Sequence, residues 1–334
     1  MTLLSVGHAG FVARFNQLSG TSYQALVDSA SKSGIQVTTT FAASMMAVVY
    51  TTINYAGYQW SSYYVGEIKS VGKSQLIGMF GSLFFIAACF AVFYAVSDYV
   101  FGHEFIAAVA SLWISGNPAY TLPIMPSAPY LISFVTDNQF VLAMVPFMFF
   151  IGAATGPAIC FFICVRNCFA WSFDRILPAS LANVDKRFKT PYNAIVLVFA
   201  VSLLFTYLTW FTPTIAFYSY AMLGLNIGYA IVSLAAVLFP YRRKDLFESS
   251  PEVVRKRIGG IPLITIAGVV ALAFSIFQAY ASVTPMIVGV LNPAAVLANV
   301  GVFVIALVIF FIAYAYRKSR GFDMALEFKE IPPD

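Results

Sequence analysis

The chain has 334 residues, of which 60% are hydrophobic and 10% charged, with a mean hydropathy of +0.82. Soluble domains carry about 25% charged residues, so this composition excludes a water-soluble globular protein and points to a multi-spanning membrane protein. Lys and Arg number 19 against 14 Asp and Glu, a net charge of +5; the excess is gathered in alternate loops, which is a topology signal and not a nucleic-acid footprint.

Runs of roughly 20 apolar residues mark membrane spans, and seven are read at 37–64, 75–96, 140–169, 192–210, 215–239, 261–281 and 294–316. The segment 1–34 before them carries Gly10, Gly20 and Gly34 among many Ser and Thr and reads as external. It is not a signal peptide, because His8, Arg14 and Asn16 break its apolar run and no basic leader precedes them. Basic residues then alternate from loop to loop. Lys69 and Lys73 follow the first span; Arg166, Arg175, Lys186, Arg187 and Lys189 follow the third. Arg242, Arg243, Lys244, Arg255, Lys256 and Arg257 follow the fifth, and Arg317, Lys318, Arg320 and Lys329 follow the seventh. Cytoplasmic loops collect Lys and Arg, so the N-terminus is expected outside and the C-terminus, with its tail 317–334, inside.

Between the second and third spans, 97–139 holds Asp98, Glu104, Asp137 and prolines 118, 123, 126 and 129, with no Lys or Arg. A short interfacial helix is predicted over 105–114, with Trp113 near headgroup level. The four cysteines, Cys89, Cys160, Cys164 and Cys168, lie in spans or at their ends and imply no disulfide framework. Cys160, Cys164 and Cys168 share a helical face, but no His or carboxylate joins them, so they read as small packing residues. No metal site and no cofactor site is read from the sequence.

The first span is poorly built for a plain membrane helix. Asn54, Gly57 and Gln59 fall at apolar depth, flanked by Tyr55, Tyr58 and Trp60. Lipid offers no water to satisfy such groups, so the segment must face protein or a wet cavity. Interrupted spanning segments are where transporters bind substrate. From these residues alone a broken and a continuous helix remain open. In the third span, Gly152-Ala153-Ala154-Thr155-Gly156-Pro157 allows close helix approach, as do Gly224 and Gly228 in the fifth. Pro157 frees a carbonyl near Ala153. An ion or substrate site there competes with a simple packing kink, and the kink is the better reading. Glu67 beside Lys69 reads either as an inner-gate charge or as a solvated interfacial carboxylate. No acid lies in the middle of any span.

The stretch after the third span carries the most specific pattern: Arg166 and Asp174 eight apart, Leu177-Pro178, then Val184, Arg187-Phe188, Thr190-Pro191 and Ala194. It resembles the amino acid–polyamine–organocation transporters, the amino acid permeases, whose eighth helix ends S-R-x(7)-D-G-x-L-P and is followed by x-V-x-x-R-F-x-T-P-x-x-A. Arg175 stands where that pattern has Gly. The first span is similar to the family's sixth helix through Tyr55, Gly57, Tyr58, Glu67 and Lys69, with Gln59 in place of the common Glu.

The resemblance implies an all-α polytopic fold of LeuT type: a second five-helix repeat plus two C-terminal helices, from about Ile35 onward. The first repeat is then expected to be missing, with 1–34 a remnant of the fifth helix and the loop after it. The implied function is secondary active transport of an amino acid or related amine across the plasma membrane, by ion or proton coupling or by exchange. The chain is then expected to be a truncated permease or one half of a split one; the implied partners are that small molecule and the lipid bilayer, with a separate N-terminal half in the second case and no nucleic acid in either. Asn54, Tyr55, Ala56, Gly57, Tyr58 and Gln59 would form the unwound, substrate-binding centre of the sixth helix, with carbonyls near Ala56 taking the ammonium. Thr155 would serve an ion site or packing, and Glu67, Arg166 and Asp174 the cytoplasmic gate. Seven spans also fit a membrane receptor, and topology leaves that alternative open. A retinal protein would need an intramembrane Lys, and every Lys lies in a loop or tail. An enzyme is not indicated: there is no H-E-x-x-H and no G-x-S-x-G, and His8 and His103 are the only histidines.

Overall fold

The computed structural model describes residues 2–34, 40–68, 71–212, 220–284 and 291–322. Lys69, the start of the expected span 215–239 and the tail beyond 322 lie outside the described residues. The described residues are mostly helical. Six helices among the described residues are long and apolar enough to cross a membrane: Gly72–Phe101, Gln139–Phe173, Tyr192–Phe211, Ala221–Arg242, Leu263–Ala281 and Pro293–Ser319. Of the remaining stretch expected to span, 37–64, the described residues from 40 onward hold a helix Phe41–Ile53, a turn and the beginning of a 3-10 helix Tyr58–Glu67.

Two compact units share the chain: Met1–Thr40 with Gly57–Ile163, and Phe41–Ala56 with Cys164–Asp334. The first unit contains α1 (Thr2–Leu18), α2 (Tyr23–Lys32), the 3-10 helix Tyr58–Glu67, α4 (Val71–Phe101), α5 (His103–Ile114), α6 (Ala128–Ser133) and the first part of α7 (Gln139–Phe173). Its core is aromatic: Phe11 and Phe15 of α1 meet Phe101, Phe105 and Phe134, with ring centroids 4.9 to 5.7 Å apart. Leu26 and Ala30 of α2 complete it. Segment 1–34 is therefore two helices on a buried core, because Phe11/Phe15 and Leu26/Ala30 each sit one turn apart on a single face. Side chains from this cap satisfy the orphan carbonyls at the end of α4. His8 Nδ1 donates to the Val100 carbonyl at 3.1 Å, and the Tyr23 hydroxyl donates to that of Phe101 at 3.1 Å. Arg14 donates to the Phe134 carbonyl at 2.9 Å and pairs with Asp137 at 2.5 Å. A helix is present where one was expected over 105–114: α5, whose Trp113 is edge-on to Tyr120 at 5.2 Å.

The second unit contains α3 (Phe41–Ile53), the end of α7, α8 (Tyr192–Phe211), α9 (Ala221–Arg242), α10 (Lys244–Ser249), α11 (Glu252–Arg255), a two-residue-strand hairpin β1 (Arg257–Ile258) and β2 (Ile261–Pro262), α12 (Leu263–Ala281) and α13 (Pro293–Ser319). Its tightest pairing is α9 on α12. A Cβ on Gly268 would lie 2.9 Å from Val237 Cγ2 and 3.1 Å from the Ser233 carbonyl oxygen, so only glycine allows that approach. By contrast nothing described lies within 4 Å of a Cβ built on Gly152, Gly156 or Gly228, and Gly224 meets only Asn299 Oδ1 at 3.3 Å. The close approach read from the spacing of Gly152/Gly156 and Gly224/Gly228 is thus carried instead by Gly268. α3 packs on this pair through Val49, which clusters with Met222 and Ala281. α13 begins at an Asn292 cap whose Oδ1 accepts from the Ala294 and Ala295 amides at 3.1 and 3.2 Å, with Pro293 as its first residue.

Candidate functional site

The interruption after α3 has a local cause. Thr51 and Thr52 both turn their hydroxyls back onto the Val48 carbonyl, at 3.0 and 2.8 Å. Such back-bonding competes with the helix ladder. The next two amides close only three-residue loops: Asn54 N–H donates to Thr51 O at 3.1 Å and Tyr55 N–H to Thr52 O at 3.0 Å. The helix has tightened and stopped. Gly57 then takes φ 109 and ψ −17, open only to a residue without a Cβ. A Cβ there would also lie 3.2 Å from the Trp60 ring. From Gly57 the backbone re-enters a helical path of 3-10 type. Trp60 N–H donates to Gly57 O at 2.9 Å, and the Gly57 amide donates to Gln59 Oε1 at 3.3 Å. Gln59, standing where the family pattern has Glu, thus supplies a neutral acceptor to the backbone of the break. The 3-10 run Tyr58–Glu67 is itself kinked at Tyr64, whose φ is −132.

Within the first unit, two contacts hold the segment that follows the break. Ser61 and Gln75 exchange hydrogen bonds, Ser61 Oγ to Gln75 Oε1 at 2.6 Å and Gln75 Nε2 to the Ser61 carbonyl at 2.9 Å. Tyr64 stands edge-on to Phe162 of α7 at 6.0 Å. Of the residues expected to bind substrate, Asn54 and Tyr58 are exposed, and Tyr55, Ala56, Gly57 and Gln59 are half-buried. They are consecutive and share one non-α-helical stretch, Asn54–Ala56 in the second unit and Gly57–Gln59 in the first.

Thr155 is exposed on α7, and its hydroxyl donates to the carbonyls of Ile151 at 3.0 Å and Gly152 at 3.2 Å. α7 runs unbroken from Gln139 to Phe173 with both Pro146 and Pro157 inside it. Arg166 and Asp174 are half-buried near the end of α7. Eight residues of helix separate them by about 12 Å along the axis. Glu67 closes the 3-10 run, and its side chain lies outside what is described.

The loop after α7 is folded by its own backbone and side chains. The helix ends in two backbone bonds that reach back to Trp171: Ile176 N–H at 2.9 Å and Leu177 N–H at 3.1 Å. Arg175 holds the left-handed turn position with φ 60. Asp185 then folds the basic loop. Its Oδ1 accepts from the Arg187 and Phe188 amides at 2.8 Å, and its own N–H donates to Thr190 O at 2.9 Å. Asn193 Nδ2 ties α8 to the Ser180 carbonyl at 2.9 Å. Reading the sequence overlooked Asp185; an Asp two and three residues ahead of a tight turn was the available signal. It also overlooked Gln278 of α12, fully buried and hydrogen-bonded to Thr52 at 2.6 Å, which no local pattern marks.

A family model described as amino acid permease matches residues 2–314. Comparison with curated proteins and with solved structures gives no match.

Proposed function

This chain belongs to the amino acid permease family, and from that premise we propose that it is a secondary active transporter of amino acids or related amines whose substrate binds at the break 54–59. Members of the family are membrane transporters and not enzymes, and the six spanning helices agree. The observation that carries the site is the interruption itself: a helix that stops at Ile53, a glycine at φ 109, and a 3-10 path onward. Backbone groups released by a broken spanning helix suit a zwitterion, with carbonyls near Ala56 facing the ammonium. Tyr55 or Tyr58 then packs over the substrate as a gate. Glu67, Arg166 and Asp174 act at the cytoplasmic end, and Thr155 serves an ion site or packing.

In this reading the fold is the second repeat of a LeuT-type transporter with two further helices. The first repeat is supplied by other residues, either of a longer chain or of a separate N-terminal half. The assembly sits in the plasma membrane with the N-terminus of this chain outside and its C-terminus in the cytoplasm. Movement of substrate is coupled to protons or sodium, or runs as exchange. No observation favours the seven-helix receptor over this reading.

The test is uptake of radiolabelled amino acids and amines by cells expressing the full-length gene product together with any separate N-terminal half, with Gly57→Leu beside the wild type. Saturable uptake with lost affinity in Gly57→Leu is expected. Unchanged affinity overturns the site, and uptake that no amino acid or amine competes for overturns the function.

A further inference from the structure

Gln278 is the one large polar side chain at 0% exposure among the described residues. It sits one turn before the end of α12, in the same unit as α3. Its Nε2 donates to Thr52 Oγ1 at 2.6 Å across 226 residues of sequence. The Thr52 hydroxyl donates to the Val48 carbonyl at 2.8 Å and its lone pairs accept from Gln278. In this arrangement the Gln278 carbonyl oxygen Oε1 is buried without a hydrogen-bond partner among the described residues.

A buried amide with one open acceptor is a poor stability device; an apolar side chain of the same length would pack there at lower cost. Its placement matches a positional task instead. Thr52 lies two residues before Asn54, and its carbonyl closes the last tightened loop of the helix, to Tyr55 N–H. Among the described residues, the buried cluster that joins α3 to its neighbours is apolar: Val49 with Met222 and Ala281. Apolar contact allows sliding and rotation, whereas a directional bond at Thr52 sets both the height and the facing of the last turn of α3.

We propose that Gln278 is a positioning residue for transport: through Thr52 it fixes where α3 stops and how the break at Asn54 is presented to substrate. The proposal rests on the transport reading above, so its test has one arm that does not need transport. Four variants of the full chain in lipid nanodiscs are compared by hydrogen–deuterium exchange over 48–56: Gln278→Met, Thr52→Val, the double variant and Thr52→Ser. Gln278→Met and Thr52→Val are each expected to speed exchange at the end of α3 by about tenfold. The double variant should be no faster than either, and Thr52→Ser, which keeps the acceptor, should match the wild type.

Thermal unfolding separates this role from a merely structural one. Gln278→Met removes the open oxygen and is expected to leave the midpoint unchanged or higher. Thr52→Val strands the whole amide and is expected to lower it. A positioning role demands that variants of opposite stability have the same local effect. In cells, both should lower maximal uptake by about tenfold, in the range of ordinary coupling energies, with KM little changed. Unchanged exchange over 48–56 in both variants, or local effects that follow the midpoint in sign, overturns the clasp. Altered exchange with wild-type uptake rates in both variants overturns the positioning role. Altered exchange with no amino acid uptake by the wild type supports the clasp and counts against the transport reading alone.

Discussion

The Arg317 side chain of α13 donates through Nε to the backbone oxygen of Arg175, at 3.1 Å, so the residue that ends α7 is held by the residue that begins the last turn of α13. Arg175 is at φ 60, where the family pattern places glycine, and its guanidinium lies 4.4 Å from the centroid of Phe322. Two effects of similar size therefore oppose each other at one residue. The left-handed turn costs a non-glycine residue about 1–2 kcal/mol, and a cation over an exposed ring returns about 0.5–1 kcal/mol. Phe322→Ala alone should lower stability by about 0.5–1 kcal/mol and should have no further effect in the Arg175→Gly background. Denaturation of the four proteins in detergent reads this cycle; additive losses would show that the two side chains do not act together.

At Gly57 the strain is in the backbone and not only in the space around it. Gly57→Ala places a Cβ 3.2 Å from the Trp60 ring, and it forces alanine into φ 109, a region that costs of order 1–3 kcal/mol. Trp60→Ala clears the first problem and leaves the second. The double variant should therefore fall well short of full recovery in stability and substrate affinity, as thermal unfolding and competition binding would register. Full recovery would mean that crowding by the indole, and not the backbone, makes glycine necessary here.

Asn54 and Gly57, two residues poor in helices inside one apolar run, left a broken and a continuous helix open, and the resemblance to the family's sixth helix favoured the break. The spans were legible for the same reason that their surfaces are greasy all round: a helix facing lipid needs no polar face. What composition concealed was tertiary. α4 runs on to Phe101 past Ser97 and Asp98, since Val100 and Phe101 are buried in the aromatic core of the cap. The cap itself, 1–34, has the polar texture of a loop but hides Phe11, Phe15, Leu26 and Ala30. The link from Thr52 to Gln278 crosses 226 residues, and no local spacing announces it.

Gly268 makes the corresponding point about glycine pairs, and it gives a prediction. Spacing marks a surface that can approach another helix, but only the partner decides which surface does so. Because a Cβ at Gly268 meets Val237 Cγ2 at 2.9 Å and the Ser233 carbonyl at 3.1 Å, Gly268→Ala should destabilise the α9–α12 pair by about 1–3 kcal/mol. Val237→Ala in the same chain should recover part of that and not all, because the backbone contact with Ser233 remains. Gly228→Ala, with nothing described within 4 Å of its Cβ, should be within about 0.5 kcal/mol of the wild type. Equal losses at Gly268 and Gly228 in chemical denaturation would contradict this packing.

The pairing of Arg14 with Asp137 joins α1 to the residue just ahead of α7, at 2.5 Å. The hydrogen bond from Arg14, followed by its charge, holds the Asp137 carboxyl below the usual carboxylate range. A carboxylate whose folded value is depressed binds its proton less readily when folded than when unfolded. Its stabilisation is therefore complete above the unfolded value and fades as pH falls through the folded one. Both side chains reach solvent, so the effect is small and screened by salt. Thermal unfolding of the wild type is expected to lose a little stability between about pH 5 and pH 2 that Asp137→Asn does not lose. Salt at about 1 M should shrink the difference. Arg14 keeps its other bond, to the Phe134 carbonyl at 2.9 Å, in either protein. Arg14→Met should therefore destabilise the cap at every pH, whereas Asp137→Asn should do so only where the carboxylate is ionised. A pH profile for Asp137→Asn that runs parallel to the wild type throughout would remove the ion pair from the forces holding the cap.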